Sequence, residues 1–295
     1  MARPGPDRIR SGVLQDGAFR FAVARLNDSV TRACLLHQLD GVRAEVLGEA
    51  LVSTALLATP SKAEEKYTLS IYGRGLIRSL NADCDHRGHL RGYLRTAPEN
   101  EWPTAVTAAN LMAPPGIIQV TRSLPDRVVY QGITEFRLGA IGADVALHLS
   151  TSDQVETEIR TAVTGAPGRY AAAGLSIQAL PGTDLDLFVP IRAALDAAER
   201  EGRACMDRPE EFIESVLGPF GPHLLGNQAV HYRCNCSRER VLNIFRQMSP
   251  ADISGLTEPD GSAVATCHWC NAEYAFPPDE MALIIGGGAE GGRPD

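Results

Sequence analysis

The spacing of apolar residues changes several times along this chain, and each change marks an expected element. Phe19, Phe21 and Val23 alternate with their neighbours, the period of a half-buried strand. Val46, Leu47, Ala50, Leu51 and Ala55 then fall at helical spacing and predict a helix buried on one side. Tyr67, Leu69 and Ile71 return to period two as far as Gly73-Arg74-Gly75, a turn, after which Leu76, Ile77 and Leu80 resume. Strand-like runs at 116–121 and 128–136 precede a helical stretch over 141–157. Strands interrupted by helices in this way predict an α+β fold, with a mixed α/β core around a mostly antiparallel sheet.

Beyond residue 181 the pattern becomes helical and amphipathic. Ile191, Ala194, Leu195 and Ala198 form an apolar stripe flanked by Arg192, Asp196, Glu199, Arg200 and Glu201. Asp207-Arg208-Pro209-Glu210 has the form of a capping box opening a second short helix with Phe212, Ile213, Val216 and Leu217, which Gly218-Pro219-Phe220-Gly221-Pro222 ends. Helices this short need a surface to lie on, so the segment reads as a docked linker. Further on, Ser237 is placed to cap a helix bearing Val241, Ile244, Phe245 and Met248, and Tyr274 and Phe276 alternate as on a hairpin strand. The expected organisation is a tail over 1–10, a core over 11–181, a helical linker over 182–229, a small zinc-binding unit over 230–280 and a Gly-rich flexible tail over 281–295.

Composition narrows the classes. The chain has 295 residues, 44% hydrophobic and 22% charged, which suits a soluble globular protein of about two units. A net charge of −8 disfavours general attraction to nucleic acid or anionic membrane. The polar, Pro-rich start lacks the apolar stretch of a signal peptide, and no run is long and apolar enough to span a membrane. A cytoplasmic location is therefore expected, where thiols stay reduced.

The chemistry concentrates in four of the seven cysteines: Cys234-Asn235-Cys236 and Cys267-His268-Trp269-Cys270, with 30 residues between the pairs. Four thiolates at this spacing can close a tetrahedron around one zinc ion, and the same four can pair into two short disulfides, Cys234–Cys236 and Cys267–Cys270. A unit of about 50 residues with few core candidates cannot fold securely by packing alone. Structural zinc supplies roughly 10–16 kcal/mol in small zinc peptides, so the metal is expected to decide whether the unit folds. Four sulfurs also close the site to a catalytic water, which argues against hydrolysis. Oxidation to a disulfide removes two ligands at once, and the tiny loop it closes constrains the unfolded chain little. Oxidation should therefore unfold the unit. Cys34 and Cys205 read as small apolar fillers, His231 and His268 as bystanders, and Cys84, within Asp83-Cys84-Asp85-His86-Arg87-Gly88-His89, as part of a polar hairpin turn.

The run Cys234-Asn235-Cys236-Ser237-Arg238-Glu239-Arg240, together with Cys267-His268-Trp269-Cys270 and the following Tyr274 and Phe276, resembles the zinc-binding end of the 33 kDa heat-shock chaperone family, the bacterial redox-regulated holdases. Arg91-Gly92-Tyr93, Ser152-Asp153-Gln154 with Thr157, and the run from Gly174 to Gly182 resemble that family's core motifs, so the likeness covers nearly the whole chain. It departs from the family pattern at Gly73-Arg74-Gly75-Leu76, at Leu147-His148, where the family has an aromatic pair, and at Ala173-Gly174. The resemblance implies a non-enzymatic, ATP-independent chaperone with Cys234, Cys236, Cys267 and Cys270 as metal ligands and redox-active residues. It implies a zinc-bound, inactive reduced state, and an oxidised state that has lost zinc, exposes apolar surface, captures unfolding proteins and dimerises. A zinc-ribbon module for nucleic acid or protein is the alternative class; the acidic chain and the large core speak against it.

Overall fold

The structure, a computed structural model, describes residues 5–60, 64–98, 102, 106, 111–201 and 208–287. It divides into two units, Met1–Arg233 and Cys234–Asp295.

The first unit contains, in order, β1 (Arg8–Leu14), β2 (Phe19–Arg25), α1 (Asn27–Leu36), α2 (Gly41–Ala58), β3 (Lys66–Tyr72), β4 (Ile77–Asp85), β5 (His89–Thr96), β6 (Gly116–Ser123) and β7 (Val128–Phe136). There follow α3 (Ile141–Ser152), β8 (Thr157–Ala166), β9 (Arg169–Ala179), α4 (Phe188–Arg200), α5 (Pro209–Phe212) with a π-helical turn over Ile213–Leu217, β10 (His223–Ala229) and β11 (His231–Tyr232). One sheet has the order β10-β1-β2-β9-β8 and the other β11-β5-β4-β3-β6-β7. Every pairing is antiparallel except β11 with β5.

Helix α2 packs against strands of both sheets. Its sequence explains this. From Ala50 to Ala58 every residue is buried, because the polar members, Ser53 and Thr54, are small and Thr54 returns its hydroxyl to the Ala50 carbonyl at 2.7 Å. A helix segment apolar on all sides belongs inside a core, so the expectation of one buried face is corrected for this second half of α2, while the first half, with Arg43, Glu45 and Glu49 part-exposed, keeps one buried face. Close approach to β9 requires Gly174: a Cβ there would stand 2.4 Å from Val52 Cγ1.

Strand β2 is also buried on both faces rather than one. Ala22 and Ala24 face the core beneath α2, while Phe19, Phe21 and Val23 face a second cluster with Phe188, Ile191, Leu195, Phe212, Ile213, Val216 and Leu217. Alternation of large and small apolar residues had the look of a half-exposed strand. The helices read as a linker, α4 and α5, thus cover the outer face of the first sheet, with the Phe19 and Phe188 rings 4.9 Å apart.

Polar ties reinforce that cover. Arg160 on β8 reaches Asp196 at 2.6 Å and Glu199 at 3.0 Å on α4, and Arg192 on α4 reaches back to Glu156 at 2.6 Å and Glu158 at 3.1 Å on the strand side. Beneath the helix lies a cavity of about 390 Å³ whose lining includes Glu49, Arg160, Leu195 and Phe212.

Several boundaries differ from expectation. Arg8 to Arg10, expected in a tail, pair on both sides within the first sheet; a single apolar residue, Ile9, gave the sequence too little alternation to show it. Residues 223–229, expected in the linker, form a strand of that sheet, and Val230, expected in the zinc unit, is buried in the first unit's core. The proposed cap Asp207 lies outside the described residues; Arg208 holds the N-cap position, its side chain pairing with Glu211 at 2.6 Å rather than capping, and Pro209 starts the helix.

The second unit holds α6 (Arg238–Gln247), α7 (Pro250–Ser254), the hairpin β12 (Ala263–Thr266) and β13 (Glu273–Phe276), and α8 (Pro278–Gly287). Phe245, Ile253, Ala263, Phe276 and Met281 form its small core. Residues 281–285, expected in a flexible tail, are helical instead, and Met281 is fully buried. Ile244, expected in the core, is 59% exposed, since α6 turns Val241, Phe245 and Met248 inward.

Candidate metal and redox centre

Two local structures present the four sulfurs. Cys234 and Cys236 lie in an extended segment that ends at Ser237, whose side chain accepts the Arg240 amide at 3.2 Å and starts α6. That cap satisfies a first-turn amide and fixes where the chain turns into helix. Cys267 and Cys270 form the turn of the β12–β13 hairpin. The Cys267 amide donates to the Ala272 carbonyl at 2.9 Å, and the Asn271 amide donates to the Cys267 carbonyl at 2.8 Å. Asn271 has φ +58°, a left-handed conformation that asparagine adopts at low cost.

The surrounding side chains lock the halves together. Phe245 of α6 and Phe276 of β13 stack edge to face with centroids 5.2 Å apart, and the Arg238 guanidinium lies 4.6 Å from the Phe276 ring centroid. Arg238 also donates to Glu280 of α8 at 2.9 Å.

The four Sγ atoms lie within 4.8 Å of one another. Cys236 and Cys270 approach to 3.3 Å and Cys234 and Cys267 to 3.8 Å. Ligand bonds of about 2.3 Å arranged tetrahedrally put sulfurs about 3.8 Å apart, so the set fits one zinc ion. Electrostatics agree. Burial would raise the Cys236 thiol, but hydrogen bonds from Tyr274 and the other three cysteines outweigh it and hold the group at about 7. Burial raises Cys267 and Cys270, and their charged neighbours raise them further. Several thiolates this close repel unless a cation neutralises them. Backbone amides support the sulfurs: those of Trp269 and Cys270 point to Cys267, and that of Ala272 to Cys270.

Among the described residues, these four form the group of His, Cys, Asp and Glu side chains arranged to hold an ion. Neither His231 nor His268 belongs to it. Cys34 and Cys84 are buried in the first unit; burial pushes the Cys34 thiol up to about 12 and raises Cys84 as well, so both stay protonated and inert. Cys205 lies outside the described residues. The stretch from Asp83 to His89 is a hairpin turn: Asp85 accepts the Arg87 and His89 amides at 2.9 and 3.0 Å. Sequence reasoning missed the Tyr274 hydroxyl, which donates to Cys236 Sγ at 3.1 Å; its period-two spacing with Phe276 shows only a shared face.

The molecule is thus an α+β protein carrying a tetracysteine unit able to hold a metal ion. The Hsp33 protein family matches residues 7–277, and the chain belongs to that family, which places it among the chaperones. The 33 kDa chaperonin of Symbiobacterium thermophilum is 32% identical over 275 residues, 90% of this chain and 92% of its own. That of Bacillus subtilis is 28% identical over 283 residues, 93% and 97% of the two chains. The crystal structure of the 33 kDa chaperonin from Thermotoga maritima shares the fold with a TM-score of 0.83, covering 97% of this chain and 100% of its own at 23% identity. Among the described residues no helix is long and apolar enough to cross a membrane.

Proposed function

We propose that this chain is a redox-regulated, ATP-independent holdase of the cytoplasm, dormant when reduced and zinc-bound, that captures unfolding proteins once oxidised. The observation that carries this reading is the convergence of four sulfurs within 4.8 Å in a unit whose core, among the described residues, has five buried residues. Cys234, Cys236, Cys267 and Cys270 would hold the zinc, which supplies the folding energy that so small a core lacks.

The switching chemistry belongs to the sulfurs. A thiolate attacks hydrogen peroxide, forming a sulfenic acid and releasing hydroxide; a second thiolate then displaces another hydroxide from that sulfur and closes the disulfide. Two electrons leave the sulfurs and reduce one peroxide to two hydroxides. Pairing as Cys234–Cys236 and Cys267–Cys270 consumes the whole ligand set. The unit then loses its fold, and the order of the segment that leads into it weakens.

The helical part of that segment, over 188–200 and 209–217, is built to leave. Its helices are short, they rest on the first sheet above a cavity of about 390 Å³, and exposed ion pairs hold them. Their release would uncover the cluster around Phe19, Phe21 and Val23 as a client surface. The oxidised form is proposed to act as a homodimer. An oxidant titration tests the reading by following zinc release and suppression of light scattering by a heat-aggregating enzyme together. The two should rise in parallel; equal suppression by reduced and oxidised protein would reject redox control.

A further inference from the structure

The Tyr274 hydroxyl stands 3.1 Å from Cys236 Sγ and donates to it. Its position follows from the hairpin. Tyr274 pairs with Ala265 across β12 and β13 and shares a strand face with the buried Phe276, so its ring packs on the small core while its oxygen reaches the sulfurs. The amides that support Cys267 and Cys270 belong to the backbone of the turn, whereas this donor comes from a side chain that can be changed without disturbing that turn.

We propose that Tyr274 is a positioning residue that sets the oxidant threshold of the switch by its hydrogen bond to Cys236, an inference that rests on the redox reading above. A hydrogen bond draws electron density from a sulfur lone pair. The sulfur becomes a weaker nucleophile toward peroxide, and part of the excess negative charge of four thiolates around a divalent cation is offset. Cys236 is then protected until oxidant is abundant, and the metal is held more firmly. Loss of the donor does both in reverse: the lone pair that attacks peroxide is freer, and the ligand set is weaker.

The test compares full-length parent and Tyr274→Phe, which keeps the ring. In the cobalt(II)-loaded proteins, the sulfur-to-metal charge-transfer band of the variant should move to lower energy, a change that packing alone would not produce. Zinc affinity, measured by chelator competition, should fall about tenfold, as for other outer-sphere partners of metal ligands. Peroxide-driven zinc release should quicken severalfold. Tyr130→Phe, in the first unit, should leave all three readings at parent values. If Tyr274→Phe does not fold, p-aminophenylalanine and p-methylphenylalanine at position 274, similar in size and differing in the donor, carry the same comparison. An unmoved band with unchanged affinity and release rate overturns the role of Tyr274. A parent protein that binds neither cobalt nor zinc overturns the proposed function instead.

Discussion

Cys236 Sγ and Cys270 Sγ stand 3.3 Å apart across the segment before α6 and the hairpin turn that carry them, and Cys234 and Cys267 meet in the same crossed sense at 3.8 Å. The folded unit thus interleaves the two pairs, as one shared ion requires. Once the ion is lost the governing quantity is loop length, which favours partners two or three positions apart over partners more than 30 apart. Peptide mapping of peroxide-treated protein should find Cys234–Cys236 and Cys267–Cys270. Crossed bridges would mean that oxidation traps the folded arrangement, contrary to the unfolding proposed here.

Alanine at all four cysteines should leave the second unit without its fold. Structural zinc is worth roughly 10–16 kcal/mol in small zinc peptides, more than a five-residue core can replace. Limited proteolysis should then cut readily within 234–287 and spare the first unit's sheets. A second unit as protease-resistant as the parent's would contradict metal-dependent folding.

Phe276→Ala should weaken the same unit with its ligands intact. The side chain is buried, stacks on Phe245 and lies under Arg238, and truncation of a buried Phe costs about 3–5 kcal/mol. Zinc should be released at lower chelator concentration than from the parent.

Arg160 and Arg192 tie α4 to β8 from opposite sides, both using Glu158. Exposed pairs are worth about 0–1 kcal/mol each, so Arg160→Ala should loosen α4 by about 1 kcal/mol, and by less in high salt. Hydrogen exchange of the 188–200 amides should quicken at low ionic strength and converge on the parent in 1 M salt.

His148 makes α3 sensitive to acid. Its Nδ1 pairs with Thr134 Oγ1 at 2.9 Å, and its Nε2 is buried with no partner among the described residues. Burial lowers its pKa from 6.5, against the opposing pull of Asp153. A histidine whose folded pKa is depressed protonates more readily in the unfolded chain. Its contribution is therefore full above about 6.5 and is lost as pH falls below that value. Asp7 and Glu49, whose carboxyls burial pushes up, act in the opposite sense, so the measurement is a difference between proteins. His148→Phe should unfold at higher temperature relative to the parent at pH 5 than at pH 8; an equal difference at both would exclude the histidine.

The cluster of four cysteines was legible because its signal is local: the spacing of the cysteines, a capping serine and a period-two strand all act within a few residues. The strands β3, β4, β6 and β7 were legible for the same reason, through alternation and turns. What escaped the sequence was decided by partners far along the chain. Whether β2 is buried on one face or two depends on α4 and α5 arriving more than 160 residues later, and whether the second half of α2 is buried all round depends on the strands of both sheets that close on it, β8 and β9 about 100 residues later among them; alanine is compatible with either. The strand over 223–229 is held by pairing with β1 at the other end of the first unit, and its own residues, Gly226, Asn227 and Gln228 among them, carry no strand pattern. The Tyr274–Cys236 bond belongs to the same kind: period two fixed the face of the tyrosine, and only the packing of hairpin on helix brought its oxygen to a sulfur. Local sterics and periodicity are written residue by residue, whereas burial and long-range hydrogen bonds are properties of two segments at once, and a sequence read in order shows one segment at a time.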